Sequence, residues 1–356
     1  MESQSLETPD TATMKHLYDK TCCPQVAVII LNWNGAALLR EYLPEVIANT
    51  PADLARVIVA DNGSTDNSLQ LLAEEFPGVE VLQFAENYGF AEGYNRALAA
   101  TRYPVTVLLN SDAAPAPQWI EPLTSYLNEH PDVAAVQPKL LSRMEPQKFE
   151  YAGACGGFID RNGYPYCRGR IFDVCEDDHG QYDTPCRIFW ATGAALTVRT
   201  EVYLKCGGLD PKFFAHMEEI DLCWRIQLQG HKIAAVPQSV VYHLGGGSLP
   251  ASNPRKTYLN FRNNLLMLHK NVPKSERCAT LLRRRLLDTV AWAKFVLTGD
   301  WKNAAAVWRA HRDFARMRSE YPDADVSENL LRRSDCRRNI LVNRYLRGRT
   351  HFSQLR

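Results

Sequence analysis

Between residues 26 and 136 the chain repeats one pattern: a short apolar run, a polar loop, then a segment of helical periodicity. Apolar runs occupy residues 26–31, 57–60, 79–84, 105–109 and 133–136. Helical patterns fill 36–48, 68–76, 91–100 and 118–130. Runs that are apolar at every position belong to strands buried on both faces. Strands that alternate with helices imply crossover connections, so the pattern predicts a doubly wound, mostly parallel sheet of the α/β class. The run 105–109 ends in Asn110-Ser111-Asp112, with Pro115 and Pro117 behind it. Ligands in open α/β sheets bind at the carboxyl ends of the strands, where Asp112 would meet a cofactor, a metal or a phosphate. The same residue types also form plain turns, and the run alone fits either reading.

After Pro138 the regularity weakens. Residues 143–187 are rich in Gly, Tyr, Asp and Cys, a long irregular stretch of the kind usually given to function. Strand patterns return at 194–198, 233–236 and 240–243, a helix at 220–229, and helical periodicity from about Leu281 onward. Three regions are expected: a flexible lead over 1–21, a catalytic body over 22–270, and a basic helical C-terminal region over 271–356.

Charge follows the same division. Residues 1–270 hold 22 Lys and Arg against 31 Asp and Glu, a balance of −9; residues 271–356 hold 19 against 9, or +10. A basic tail on an acidic body implies an anionic partner for the tail or an ordinary solvated face. The ten cysteines form no CxxC pair, residues 1–20 lack the apolar stretch of a secretory signal, and no apolar run approaches a membrane span. Reduced thiols and a cytoplasmic protein are expected, peripheral at most to the cytoplasmic face of the inner membrane.

Four loop clusters fall at the expected strand ends: Asn32-Trp33-Asn34-Gly35, Asp61-Asn62-Gly63-Ser64-Thr65-Asp66, Glu86-Asn87-Tyr88-Gly89-Phe90 and Asn110-Ser111-Asp112. In a parallel sheet they share one edge, furnished with the carboxylates, amides and glycines that a nucleotide needs. Asp61 can accept a hydrogen bond from the N3–H of a pyrimidine or cap a nearby helix. No Walker loop and no Gly-x-Gly-x-x-Gly fingerprint is present. A second constellation, His216-Met217-Glu218-Glu219-Ile220-Asp221 through Arg225, sets three carboxylates at a helix start. Acidic residues suit a first turn, and Asp221 and Arg225 are spaced to pair. Adjacent Glu218 and Glu219 point different ways, which leaves one free to serve as a general base. A third, Tyr242-His243-Leu244-Gly245-Gly246-Gly247-Ser248, ends a strand on a histidine beside three glycines. His243 there is either structural or a ligand to a metal shared with Asp112.

In this order and spacing the clusters, with Thr192-Gly193-Ala194 and Gly207-Gly208-Leu209-Asp210, resemble family 2 inverting glycosyltransferases of the GT-A fold, in their rhamnosyltransferase-like branch, over residues 24–270. The resemblance implies a donor site of Asn32, Asn34, Asp61, Asn87, Gly89, Asn95, Asn110 and Asp112, with Asp61 reading the uracil or thymine base. It assigns a Mg²⁺ or Mn²⁺ to Asp112 and His243. Glu219 stands in the catalytic-base position, where many relatives have Asp. Trp190, Thr192, Gly193 and Glu218 fall on the acceptor side. Asn110 holds the first position of the family's DxD-type motif and is a weaker ligand than Asp.

The implied reaction moves a sugar, rhamnose by resemblance, from a nucleotide-diphosphate donor to a glycan or lipid-linked glycan acceptor of a cell-surface polysaccharide. In the tail, Leu282, Leu286, Val290, Ala293 and Leu297 share one helical face; Ala304, Val307, Trp308, His311, Phe314 and Ala315 share another. Seven arginines lie among them. Such basic amphipathic helices rest on an anionic membrane or pack as a subdomain. No nucleic-acid module is recognised. Two other readings stand beside the transferase. A nucleotidyltransferase would share the sheet, but needs a basic phosphate loop that residues 31–35 lack. The intact set of Asp61, Asp112, Glu219 and His243 argues against a non-catalytic nucleotide-sugar-binding module.

Overall fold

The computed structural model describes residues 25–245, 253–321 and 326–355. The expected lead over 1–21 and the residues Gly246, Gly247 and Ser248 lie outside the described residues. The chain runs β1 (Val26–Asn32), α1 (Ala36–Asn49), β2 (Ala55–Asp61), α2 (Ser68–Glu75), β3 (Glu80–Gln83), α3 (Gly89–Thr101), β4 (Val105–Leu109), β5 (Ala113–Pro115), α4 (Ile120–Glu129) and β6 (Val133–Ser142). Four short strands follow: β7 (Gly157–Ile159), β8 (Pro165–Cys167), β9 (Arg170–Ile171) and β10 (Val174–Cys175). Then come β11 (Cys186–Ile188), β12 (Ala195–Arg199), α5 (Thr200–Lys205), α6 (Glu218–Leu228), β13 (Lys232–His243), α7 (Pro254–Asn271), α8 (Lys274–Leu297) and α9 (Trp301–Met317).

The main sheet has the order β11-β13-β6-β12-β4-β1-β2-β3, with β5 added on β13. Pairs β1–β2, β2–β3, β1–β4 and β6–β13 are parallel; β12 enters antiparallel between β4 and β6. Alternate residues of the strands go to opposite faces. Thus Ala27, Ile29, Ile58, Ala60 and Leu108 join one apolar layer, while Val28, Ile30, Val59, Val107 and Leu109 join the other. Both faces are buried at these positions, which is why the runs 26–31 and 57–60 are apolar throughout and the one polar residue of β4, Thr106, has a buried partner in Thr200.

Several elements depart from the sequence expectation. The expected strand at 133–136 extends to Ser142, because β13 pairs along it and buries Gln137 and Lys139. The two expected strands at 233–236 and 240–243 are one strand, β13, with a register shift between Val236 and Val240. Strands β7–β10 form a small antiparallel sheet inside the stretch read as irregular; two- and three-residue strands are too short to show a period. Helix α7 is absent from the sequence expectation because polar Arg262, Asn263 and Asn264 occupy buried positions, which blurs its amphipathic stripe.

In the tail, α9 packs inward through Ala304, Val307, Ala310 and Phe314. Trp308 and Ala315 were expected on that face but lie exposed. Helix α8 turns Leu282, Leu286, Val290 and Leu297 outward. No helix among the described residues is long and apolar enough to cross a membrane.

Candidate active site

Strand β4 delivers its carboxyl end to the sheet edge, where the Tyr94 hydroxyl donates to the Leu109 carbonyl at 2.9 Å. Asn110 N–H donates to the Ala194 carbonyl at 3.0 Å, and the chain then turns into β5. Strand β5 pairs Ala113 with His243 at the end of β13. That pairing brings together residues 131 positions apart: His243 Nε2 lies 3.0 Å from Asp112 Oδ1. Asn110 Nδ2 lies 3.2 Å from the same ring nitrogen. On the opposite side of the ring, His243 Nδ1 sits 3.5 Å from Glu150 Oε1. Glu150 is buried and stands in none of the loop clusters. Gly245 permits its approach, since a Cβ there would come within 2.5 Å of Glu150 Oε1.

Burial lowers the affinity of His243 for a proton, but its contacts with Asp112 and Glu150 overcome this and lift the pKa to about 10. Burial raises the Asp112 carboxyl, and the His243 contact more than reverses it, leaving the net shift downward. Among the described residues no group of three or more His, Cys, Asp or Glu is arranged to hold a metal by itself. Asp112 and His243 nevertheless present an oxygen and an imidazole nitrogen side by side. The carboxylate behind the imidazole is the usual means of orienting a ligating histidine.

The other residues expected on the donor side frame this edge. Asp61 is fully buried; its Oδ2 accepts from Asn32 Nδ2 at 3.0 Å and its Oδ1 from Ser64 N–H at 3.0 Å. Both oxygens are thus engaged in holding the loop. Asn34 takes a positive φ of 51°, and its Oδ1 accepts from the Thr65 and Asp66 N–H groups. Asn87 Oδ1 accepts from Asn62 Nδ2 and from Gly89 N–H. Asn95 departs from the expected donor role. Its Oδ1 accepts from the Tyr203 hydroxyl and Leu209 N–H, and its Nδ2 donates to the Leu209 carbonyl, so it braces the 207–209 turn.

The residues expected on the acceptor side begin one residue from Ala194. Gly193 lies against Phe90 and the Cβ of Glu219. Glu219 and Trp190 line a cavity of about 820 Å³. Trp190 is held by its Nε1–H donating to the Phe158 carbonyl at 2.9 Å. Thr192, expected to face the acceptor, is buried instead: its hydroxyl donates to the Ala152 carbonyl and its N–H to Gln137 Oε1. Glu218 is buried off the cavity. Each glutamate has one buried oxygen without a hydrogen-bond partner among the described residues. Burial pushes Glu219 up to about 7, and burial with the neighbouring Glu219 charge pushes Glu218 well above the carboxylate range. Burial and Lys256 hold His216, also on the cavity wall, down to about 4.

The loop that presents these glutamates is strained. Phe214, His216 and Met217 all adopt positive φ, at 68°, 68° and 75°, a conformation costly for residues with a Cβ. Helix α7 holds it. Asn263 Nδ2 reaches the carbonyls of Phe213, Ala215 and His216 at 2.8–2.9 Å, and Arg262 Nη2 that of Phe213 at 2.9 Å. Below the loop, Asp221 pairs with Arg225 as its spacing predicted, and also with Lys270.

Residues 27–179 match the family model described as glycosyl transferase family 2. An N-acetylglucosaminyl-diphospho-decaprenol L-rhamnosyltransferase of Mycobacterium tuberculosis is 24% identical over 242 residues, covering 61% of this chain and 75% of that protein. A pre-mycofactocin glycosyltransferase of the same organism is 27% identical over 226 residues; the alignment takes in 61% of this chain and 42% of that longer protein. Among solved structures, GalNAc-T7 with UDP, GalNAc and Mn²⁺ superposes with a TM-score of 0.56 at 17% identity, over 86% of this chain and 59% of the other. S. aureus TarS 1-349 with UDP-GlcNAc does so at 0.53 and 14%, over 82% and 80%. Over residues 27–179 the chain is similar to family 2 glycosyltransferases, and its fold is of the GT-A type.

Proposed function

We propose that this chain is an inverting, metal-dependent glycosyltransferase that uses a nucleotide-diphosphate sugar, with rhamnose the favoured sugar, to extend a glycan or lipid-linked glycan of the cell surface. One observation carries the reading: the Asp112–His243 pair at the carboxyl edge of the sheet, joined through Ala194 and Gly193 to a carboxylate, Glu219, that faces a cavity. Donor and acceptor chemistry thus stand on the two sides of one short segment.

Glu219 is the base. Its raised pKa suits it to take a proton near neutral pH. The acceptor hydroxyl gives that proton to Glu219 as its oxygen bonds to the anomeric carbon. The bond from that carbon to the diphosphate oxygen breaks on the opposite face, and the nucleoside diphosphate leaves with the electron pair. Asp112 and His243 would hold a divalent cation, with Glu150 orienting His243. Such an ion, when bound, neutralises charge on the departing diphosphate. Mixed carboxylate and imidazole donors lean toward Mn²⁺, and the Mn²⁺ and UDP of the GalNAc-T7 structure support a metal and a nucleotide in this fold. Asn32, Asn34, Asp61, Asn87 and Gly89 shape the nucleotide side. The rhamnosyltransferase relative supports the sugar and a lipid-linked acceptor. The outward apolar face of α8, beside exposed Arg283 and Arg285, supports peripheral contact with an anionic membrane.

Hydrolysis of a panel of nucleotide-sugars, with Mn²⁺, Mg²⁺ or chelator, tests this. One donor should be consumed only with metal, and Asp112→Ala should abolish metal-dependent donor binding. Donor affinity that ignores both metal and Asp112→Ala would refute the donor site.

A further inference from the structure

The cavity that holds Glu219 extends to the C-terminal helices. Its wall continues from Trp190 and Met217 to Leu287, Val290 and Phe295 of α8, and to Leu341 and Leu346. Four cations line the cavity: Arg284 is ion-paired with Asp288, Lys294 lies 5.7 Å from the Tyr345 ring, and Arg170 and Lys256 stand together at Tyr151. Arg170 is 93% buried (7% exposed), lines the cavity, and its Nε has no hydrogen-bond partner among the described residues. Arg170 Cζ lies 4.6 Å from the centre of the Tyr151 ring, and Lys256 Nζ lies 5.2 Å from it.

Contacts give the order along the cavity. Thr192, next to Gly193 and hence to Glu219, donates to Ala152; Ala152 follows Tyr151, which carries Arg170 and Lys256. Arg170 then donates to the Phe172 carbonyl at 3.1 Å. The Phe172 ring meets Tyr345 at 5.6 Å, beside the apolar end. Val290, Tyr345 and Leu346, exposed at 67%, 58% and 80%, form the mouth. It opens on the face where α8 leaves Leu286 and Leu297 uncovered.

A base, then a cationic stretch, then an apolar channel open to an apolar surface is the negative image of one kind of molecule. We infer that the acceptor is an amphiphile: a sugar whose hydroxyl reaches Glu219, a diphosphate held by Arg170 and Lys256, and a lipid chain lying along α8 and residues 341–346. Buried guanidinium groups are costly without an anion, and the diphosphate supplies one. A methylene drawn from water contributes about 0.8 kcal/mol, so the apolar channel selects a chain over a free phosphate. The inference rests on Glu219 as the base of the proposed transfer, and it gives the C-terminal region a substrate role.

The test is titration of the full chain with farnesyl diphosphate and with inorganic diphosphate, in chelator so that no metal recruits either probe to Asp112. Farnesyl diphosphate should bind at least about tenfold more tightly. Leu346→Asp, at an exposed position, and Lys256→Gln should each weaken it by about tenfold, with Leu346→Asp leaving inorganic diphosphate unchanged. Equal affinity for the two probes overturns the inference, as does a farnesyl diphosphate affinity within about twofold of wild type in either variant. Glu219→Gln separates the two readings. It should keep farnesyl diphosphate binding and lose transfer; wild-type transfer by that variant sinks the base alone.

Discussion

Asn263 on α7 decides whether Glu219 faces the cavity, and Asn263→Asp tests that dependence. The side chain is fully buried, and its amide lies 2.8–2.9 Å from three carbonyls of the 213–216 loop. Aspartate has the same shape but offers no donor in its ionised form, and it turns an oxygen toward three oxygens. Two N–H protons are lost, and each buried group left unsatisfied costs about 1–3 kcal/mol, so the loop loses about 2–6 kcal/mol. The positive φ values at Phe214, His216 and Met217 each store about 1–3 kcal/mol, so relaxation of the loop is favoured once the amide is gone. A domain whose stability exceeds this loss, within the usual range of about 5–15 kcal/mol, remains folded. Displacement of a catalytic group by about 1 Å costs about a hundredfold in rate. The assay is kcat for transfer or metal-dependent donor hydrolysis, with donor Kd and Tm measured on the same protein. We expect kcat to fall about a hundredfold, with donor Kd unchanged because Asp112 and His243 stand on other elements. A folded Asn263→Asp protein with wild-type kcat would refute the dependence of Glu219 on α7.

Two further expectations follow from burial. Burial lifts Glu219 to about 7, so kcat/KM should rise through a limb centred near that pH; a flat profile from about pH 6 to 8 removes Glu219 from the base role. A carboxyl raised on folding keeps its proton in the folded chain after the unfolded chain has released it, so its cost appears as pH climbs from about 4.3, the unfolded value, through its folded pKa. Glu219→Gln should therefore gain stability relative to wild type between pH 5 and pH 8, as read by chemical denaturation. At Gly157 a Cβ would meet the Trp190 ring at 2.1 Å. Gly157→Ala should cost about 1–3 kcal/mol and push the indole into the cavity, raising KM for the acceptor and sparing donor Kd; an unchanged Tm would refute the packing.

The sequence alone determined the sheet and its functional edge. Runs apolar on both faces, such as Val26–Leu31 and all of Val105–Leu109 but Thr106, belong to strands covered on both sides, and a parallel sheet puts their carboxyl ends on one edge, so Asp112 and its neighbouring loops were legible as an edge. The pairing of Asp221 with Arg225 was legible too, because helical spacing is local. Tertiary structure decided what lies between distant segments. Strand β5 has three residues and no period, yet its pairing with β13 sets His243 against Asp112. Glu150, Asn263 and Arg170 occupy no motif; each matters through a partner far along the chain. Asn95 and Thr192 sit in recognisable motifs, and packing gave their polar atoms to the frame. Periodicity reports burial along one element, whereas a site is made by contacts across elements, and those exist only once the chain has folded.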